Sequence, residues 1–438
     1  MRPHPVPATA SLLLSLTMVS ACGDATDPAL KLESQPSLVL APARSADAFV
    51  QSIGINTHIS YFRTAYGTGW ATIIRPRLLA LGIRHVRDAG TVVTSDGWMS
   101  TVYGRMRELS DSGVKFNLIL RPADGSTDYQ STAHFSRLLT YAGSSVESFE
   151  GLNEHDLSGR ANWVAEVRAF QQAAWRALKA DSRSAALPVY GPSMAHPIDA
   201  PLVGDLSGYL DGGALHPYPG GQRPMAAVST HVTYGRKISG TKPLMASESG
   251  YHDALLWSGS HPGVSEAAMG RYAPRLALDY FNAGLTRSYL YELIDEGTSV
   301  SEREQAFGLL HADGTPKPAY TSLKNLITLL ADPGPAFATS SLSYELSGDT
   351  TNVRRLLLEK RNGRFYLVLW HDAFSFDQIT KTTAAPSAKK VTLRLAGTAS
   401  RIRTWEPLSS TTATKDSPAV ASIGLTVPDS PLVVEVTP

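Results

Sequence analysis

Eight short apolar runs recur before residue 331, at residues 49–56, 83–88, 116–121, 148–153, 188–191, 214–217, 243–248 and 287–292. Helical patterns separate most of them. Residues 163–180 are the clearest: Trp163, Val167, Phe170, Ala174 and Leu178 recur at three- and four-residue spacing, which lines one face of an α-helix. Residues 271–283 put Tyr272, Leu276 and Tyr280 on one stripe. A strand that returns through a helix pairs parallel to its predecessor, with a right-handed crossover. Eight such units predict an α/β fold, a closed (β/α)8 TIM barrel. An open doubly wound sheet is the competing arrangement.

The pattern changes after Leu330. Asp332-Pro333-Gly334-Pro335 stops any helix and reads as a linker. Beyond it the alternation has period two. Residues 353–360 and 364–370 flank Arg361-Asn362-Gly363, a hairpin turn signal. Further strands are expected at 391–395, 402–405, 423–427 and 432–436. A C-terminal all-β sandwich follows from these. The chain of 438 residues therefore divides into a barrel at 46–331 and a sandwich at 336–438.

The first residues carry a different signal. Arg2 and His4 precede an apolar run at 12–19, too short for a mature membrane span but suited to a secretory signal. It ends in Val19-Ser20-Ala21-Cys22, and Cys22 is the only cysteine. This resembles a bacterial lipoprotein signal at 1–21, with Cys22 as the lipid attachment and 22–45 as a tether. A plain secretory signal with an incidental cysteine is the alternative. The resemblance implies export to the bacterial cell envelope and a membrane contact through lipid only. Forty basic and 39 acidic residues nearly cancel, which gives no electrostatic case for nucleic acid as a partner. A neutral substrate is compatible with that balance but not shown by it, and a monomer is expected.

Catalytic groups in such a barrel stand at the C-terminal ends of strands. The polar residues there are Asn56 and His58, Arg87-Asp88, Asn153-Glu154, His216 with Tyr218, Glu248, and Tyr291-Glu292. Two carboxylates on opposite sides of a sugar ring suffice to hydrolyse a glycosidic bond. Glu154 and Glu248 end the fourth and seventh runs, across the barrel mouth from each other. No His-Glu-x-x-His motif occurs, Gly67-Thr68-Gly69 lacks the third glycine of a dinucleotide loop, and Thr241 stands where a phosphate loop needs lysine. Neither a metal nor a cofactor is expected.

These residues resemble clan A of the retaining glycoside hydrolases, similar to families 5, 30 and 39, over about residues 49–330. The resemblance implies that Glu154, after Asn153, is the acid/base and that Glu248 is the nucleophile. It also matches His216-Pro217-Tyr218 after strand six, Arg87 on strand two, and Phe307-Gly308-Leu309-Leu310 with the segment 313–320 as the barrel's closing piece. Two positions depart from the pattern. His155 replaces the usual proline after the acid, and Tyr291 stands where strand eight often ends in tryptophan.

Under this reading Glu154 needs a raised pKa, from burial and from the Glu248 charge. Arg87 and Tyr218 would steady Glu248, and Asn153 would bind the sugar 2-hydroxyl. Asn56 and His58 either line the sugar pocket or cap the barrel mouth. Glu292 either binds a sugar hydroxyl or pairs with an arginine. Trp70, Trp98 and Trp257 either stack on sugars or pack in the core. Outside the enzyme class, a non-catalytic carbohydrate-binding lipoprotein and a structural envelope protein with an unused cleft remain as alternatives.

Overall fold

The structure is a computed structural model, and it describes residues 38–438. The signal, Cys22 and most of the expected tether lie outside the described residues. Eight parallel strands run in the order of the chain: Ile53–Asn56, His85–Ala89, Lys115–Ile119, Val146–Glu150, Val189–Tyr190, Gly213–Leu215, Leu244–Ser249 and Ser288–Leu290. The eighth pairs with the first in register Tyr289 to Gly54. A parallel bridge from Tyr190 to Gly212 joins the fifth and sixth. The sheet is therefore closed, and the predicted (β/α)8 barrel is what the chain forms.

Local chemistry sets the helix ends. Ser95 and Ser265 accept backbone N–H groups at the starts of Asp96–Ser110 and Glu266–Asn282. Gly82, at φ 80°, ends Arg75–Leu81 in the left-handed conformation that a side chain resists. In Trp163–Ala180 the buried residues include Val167, Phe170, Ala174 and Leu178, the stripe read from the sequence. Inside the barrel, Gly54 leaves room for the Tyr289 ring, since a Cβ there would lie 2.3 Å from it. Tyr289 packs with Met245 and Ala214 as an apolar plug.

The C-terminal strands are antiparallel. Val353–Glu359 and Phe365–His371 form the expected hairpin, with Gly363 at φ 76° in its turn. The two runs expected at 391–395 and 402–405 are one strand, Lys389–Trp405. Its first part pairs with Ser341–Gly348 and its last part with Leu432–Thr437. Its register shifts between Arg394 and Ala399, where it pairs with Lys415–Val427. One long strand thereby joins the two halves of a single eight-stranded sheet. The hairpin is buried on both sides: Leu357, Leu367 and Leu369 face the sandwich core, while Leu356, Leu358, Val368 and Trp370 join the barrel core.

The described end of the expected tether is ordered by the sandwich. Val39–Pro42 pairs with residues 341–344, and Arg44–Ser45 pairs with Leu358 and Glu359. Arg44 adds a bond to the Phe281 carbonyl at 2.9 Å and lies over that ring. Glu266–Asn282 is buried nearly all round because it is wedged between barrel and sandwich. Its Arg275, fully buried, bonds Asp372 at 2.7 Å and the carbonyls of Ala373 and Asp429 at 3.0 and 3.2 Å.

Candidate active site

A cleft of about 690 Å³ opens at the C-terminal ends of the barrel strands. Its wall includes Asn56, His58, Arg87, Asn153, Glu154, His216, Tyr218, Glu248 and Tyr291. The structure thus gathers nine of the eleven polar strand-end residues named from the sequence. Asp88 is buried, accepting the Thr57 hydroxyl and the Ile59 N–H, and Glu292 is the other exception. It is fully buried away from the wall, accepts the Tyr66 hydroxyl at 2.7 Å, and has no arginine partner among the described residues. The tryptophans also lie off the wall: Trp70 is buried against Glu108, Trp98 packs on Phe62, and the Trp257 indole N–H bonds Ser260.

Arg87 organises the floor. It projects inward from the second strand and is buried. Its Nε and Nη2 fork onto the Glu150 carboxylate at 2.8 Å each. Nη2 also reaches Asn153 Oδ1 at 2.6 Å, and Nη1 reaches Asn56 Oδ1 at 3.0 Å and Glu248 Oε1 at 2.6 Å. All five guanidinium protons therefore have acceptors. Burial opposes the Arg87 charge, but Glu150 and Glu248 outweigh it and keep the group protonated.

Glu150 carries much of this arrangement, and the sequence reading did not single it out. It also accepts Asn117 Nδ2 at 2.8 Å and Ser247 Oγ at 3.0 Å, so both its oxygens are engaged. A signal existed. Ser148 and Glu150 stand two residues apart in an apolar run, which places both on one face of a strand.

The fourth strand stops at Glu150, short of the expected 153. Gly151 then passes so close to its neighbours that a Cβ would lie 2.2 Å from Gln171 Oε1. Asn153 bridges to Ser193, and Glu154 takes a left-handed backbone at φ 45°. That conformation costs of order 1 kcal/mol in a residue with a side chain, and such strain gathers at functional sites. Its result is a Glu154 carboxylate turned over the mouth toward strand six.

There Glu154 Oε1 meets His216 Nδ1 at 2.6 Å. The same nitrogen lies 3.5 Å from Glu248 Oε2. Glu248 also accepts the Tyr218 hydroxyl at 2.8 Å. Ligand-type atoms of Glu154, His216 and Glu248 all lie within 4.8 Å of one another, so the two carboxylates come as close as that. Because Glu248 is already engaged by Arg87 and Tyr218, the trio reads as a proton-sharing set and not as a metal cage.

Protonation here differs from the sequence expectation. Burial does push Glu154 up, but the charge and hydrogen bond of His216 outweigh it, and the carboxyl is held below its ordinary value. His216 moves the opposite way. Burial opposes its charge, yet Glu248 and Glu154 raise its pKa. The proton of this pair accordingly rests nearer His216, one short hydrogen bond from Glu154. The Tyr218 phenol, buried beside Glu248, is pushed well above its ordinary value and remains a donor.

Loops supply the rest of the wall, including Tyr61, Arg121, His196, His261, Arg303 and Phe307. Arg121 closes the third apolar run, but the others were not legible from strand ends, because tertiary packing alone brings these loops together. The expected closing segment is present: Leu310 bridges Ile294 and Pro316, and Pro318 opens the last barrel helix, Pro318–Leu330.

A scan against protein-family models finds no match, and a search of curated proteins finds none either. Solved structures do match. The chain is similar to a family 39 glycoside hydrolase from Bacteroides cellulosilyticus WH2, at TM-score 0.62 and 12% identity over 91% of this chain and 83% of that one. It is similar to a glucosidase from Croceicoccus marinus, at TM-score 0.60 and 12% identity over 91% and 97%. A family 51 α-L-arabinofuranosidase from Bifidobacterium longum matches at TM-score 0.57 and 12% identity over 91% and 99%. At such identity the likeness is one of fold, a barrel followed by a β-sandwich region.

Proposed function

We propose that the chain is a retaining glycoside hydrolase acting on β-glycosidic bonds of a poly- or oligosaccharide. The observation that carries this reading is that one oxygen of Glu154 and one of Glu248 lie within 4.8 Å of each other at the barrel mouth. Retaining enzymes hold their carboxyls about 5–5.5 Å apart, while inverting enzymes leave about 6.5–9.5 Å for a water. Similarity of fold to glycoside hydrolases supports the same class.

In the proposed mechanism Glu154 passes a proton to the leaving glycosidic oxygen, drawing on the proton it shares with His216. The Glu248 carboxylate attacks the anomeric carbon from the other face, and the C–O bond to the leaving group breaks. Glu154, now a carboxylate, takes a proton from water. That water displaces Glu248 from the glycosyl-enzyme and restores the starting configuration. Arg87 and Tyr218 orient Glu248. Asn153, its carbonyl oxygen held by Arg87, presents its amide N–H groups to the sugar 2-hydroxyl. Cys22 is proposed as the lipid attachment of an exported envelope protein, which labelled-fatty-acid incorporation in wild type and Cys22→Ala would test.

The test of activity is a panel of aryl β-glycosides, aryl α-L-arabinofuranosides and polysaccharides, assayed with wild type and Glu248→Gln. Proton NMR of the first-formed anomer reports the stereochemistry. Turnover with retention, lost in Glu248→Gln, is expected. Sugar binding without turnover, unchanged in the variant, sinks the enzyme reading in favour of a binding protein. An inverted first product removes the retaining mechanism.

A further inference from the structure

Beside the cleft, the loop after strand one and the loop after strand eight meet in a second cluster. His58 Nε2 stands 3.6 Å from Glu292 Oε2 and 3.8 Å from Glu296 Oε1. One atom from each of the three residues fits within a 4.8 Å set. The glycosidase mechanism uses none of these distances.

They are too long for hydrogen bonds, which close at about 2.7–3.2 Å. Histidines elsewhere in this molecule do close onto carboxylates: His155 reaches Glu166 at 2.7 Å and His216 reaches Glu154 at 2.6 Å. His58 instead stands off from two carboxylates almost equally. Atoms bound at about 2.1 Å to one ion stand roughly 3.4–3.6 Å apart at tetrahedral to trigonal angles. The His58 separations fall near that spacing.

A second observation points the same way. Glu292 is fully buried: its Oε2, the oxygen that faces His58, accepts the Tyr66 hydroxyl, and its Oε1 has no hydrogen-bond partner among the described residues. A buried carboxylate oxygen without a partner marks an absent water or ion. Among the described residues, neither Glu292 nor Glu296 has a lysine or arginine within 4.0 Å. Two carboxyl groups thus share a site with no lysine or arginine and one imidazole that burial keeps neutral.

We propose that His58, Glu292 and Glu296 bind a divalent first-row transition ion, with Zn²⁺ the best match. An imidazole nitrogen disfavours Mg²⁺ and Ca²⁺, which take oxygen ligands, and one nitrogen with two carboxylates suits Zn²⁺ or Mn²⁺. The ion takes the Nε2 lone pair that now faces the Tyr291 hydroxyl at 3.1 Å. It neutralises the buried Glu292 and ties the ends of strands eight and one together, next to the wall formed by His58 and Tyr291.

The experiment uses the untagged full chain, stripped with a chelator and dialysed, and needs no substrate. It is therefore independent of the glycosidase reading. Calorimetry and elemental analysis should find one Zn²⁺ per chain, with Mg²⁺ failing to compete. Glu296→Gln and His58→Gln should weaken binding at least about 10–100-fold, the loss typical when a metal's supporting groups are changed. His196→Ala, in the exposed Asp156–His196–Asp199 group, controls for surface binding and should change nothing. Visible absorption of the Co²⁺ form of wild type, quenched by Zn²⁺, gives a readout free of any folding defect in a variant. The proposal is overturned if wild type takes up no stoichiometric Zn²⁺, if uptake survives unchanged in well-folded Glu296→Gln and His58→Gln, or if His196→Ala abolishes it.

Discussion

Arg87 Nη1 donates to Glu248 Oε1 across 2.6 Å, linking the second and seventh strands beneath the cleft. The bond is one of five of 3.0 Å or less that the guanidinium makes, and its planar fork is needed for the pair to Glu150.

Arg87→Lys should therefore damage fold and function together. A lysine cannot satisfy Glu150 in both places, and disrupting a buried pair costs about 3–5 kcal/mol. Urea unfolding should show a loss of a few kcal/mol. Turnover of any substrate found in the panel should fall by at least about 100-fold. Wild-type stability in Arg87→Lys contradicts the role given to the fork.

Tyr218→Phe separates orientation from fold. It removes one hydroxyl, bonded to Glu248 at 2.8 Å, and keeps the ring that packs on Phe307. A bond to a charged group contributes about 1.5–3 kcal/mol. We expect kcat to fall by about 10–100-fold with the unfolding midpoint nearly unchanged. Equal kcat in the two proteins would falsify the proposed support of Glu248.

Arg275→Ala probes the junction of barrel and sandwich. Arg275 is fully buried, and its bonds to Asp372 and two sandwich carbonyls leave with it. Asp372 keeps only Arg223 at 3.3 Å and Arg354 at 3.9 Å. A loss of about 3–5 kcal/mol is expected on the scale for broken buried pairs. A change within about 0.5 kcal/mol, the range of ordinary surface substitutions, contradicts the wedge role of Glu266–Asn282.

The barrel was legible because each of its strands is a short apolar run and most of the runs end at or beside a polar group. Glu248 ends the seventh strand's Leu244–Ser249 run almost where the sequence places it. Glu154 was found for a partly different reason. Its strand ends at Glu150, and a strained turn, not the strand itself, carries Glu154 to the mouth. Glu150 escaped notice because a charged residue inside a barrel is stable only with partners from other strands, here Arg87, Asn117 and Ser247. The protonation of Glu154 was misjudged for a related reason: the sequence places Glu248 nearby but does not show that His216 stands between them, hydrogen-bonded to Glu154 and 3.5 Å from Glu248. Pairing of residues 39–45 with the sandwich was equally hidden, since edge strands there depend on partners some 300 residues away.

His216 sets the last prediction. Its pKa is raised despite burial, because Glu248 and Glu154 favour its charged form, while Glu154 is held low by the same contact. The proton needed by the leaving group is then available until pH rises through the raised His216 value, where the basic limb of kcat/KM should fall. Its contribution to stability has the same sign. A group with a raised folded-state pKa stabilises most below its unfolded value near 6.5, and that contribution fades as pH climbs through the folded value. In His216→Asn the proton rests on Glu154 alone. Its carboxyl is then lifted by burial against the charges of Arg87 and Arg303, and a carboxylic acid still gives up its proton earlier than a charge-stabilised imidazolium. The basic limb should move to lower pH, with kcat/KM down by about 10–100-fold at the wild-type optimum. Pre-steady-state release of an aryl leaving group, followed across pH in both proteins, measures the limb directly. Superimposable limbs would show that the proton never resides on the His216–Glu154 pair.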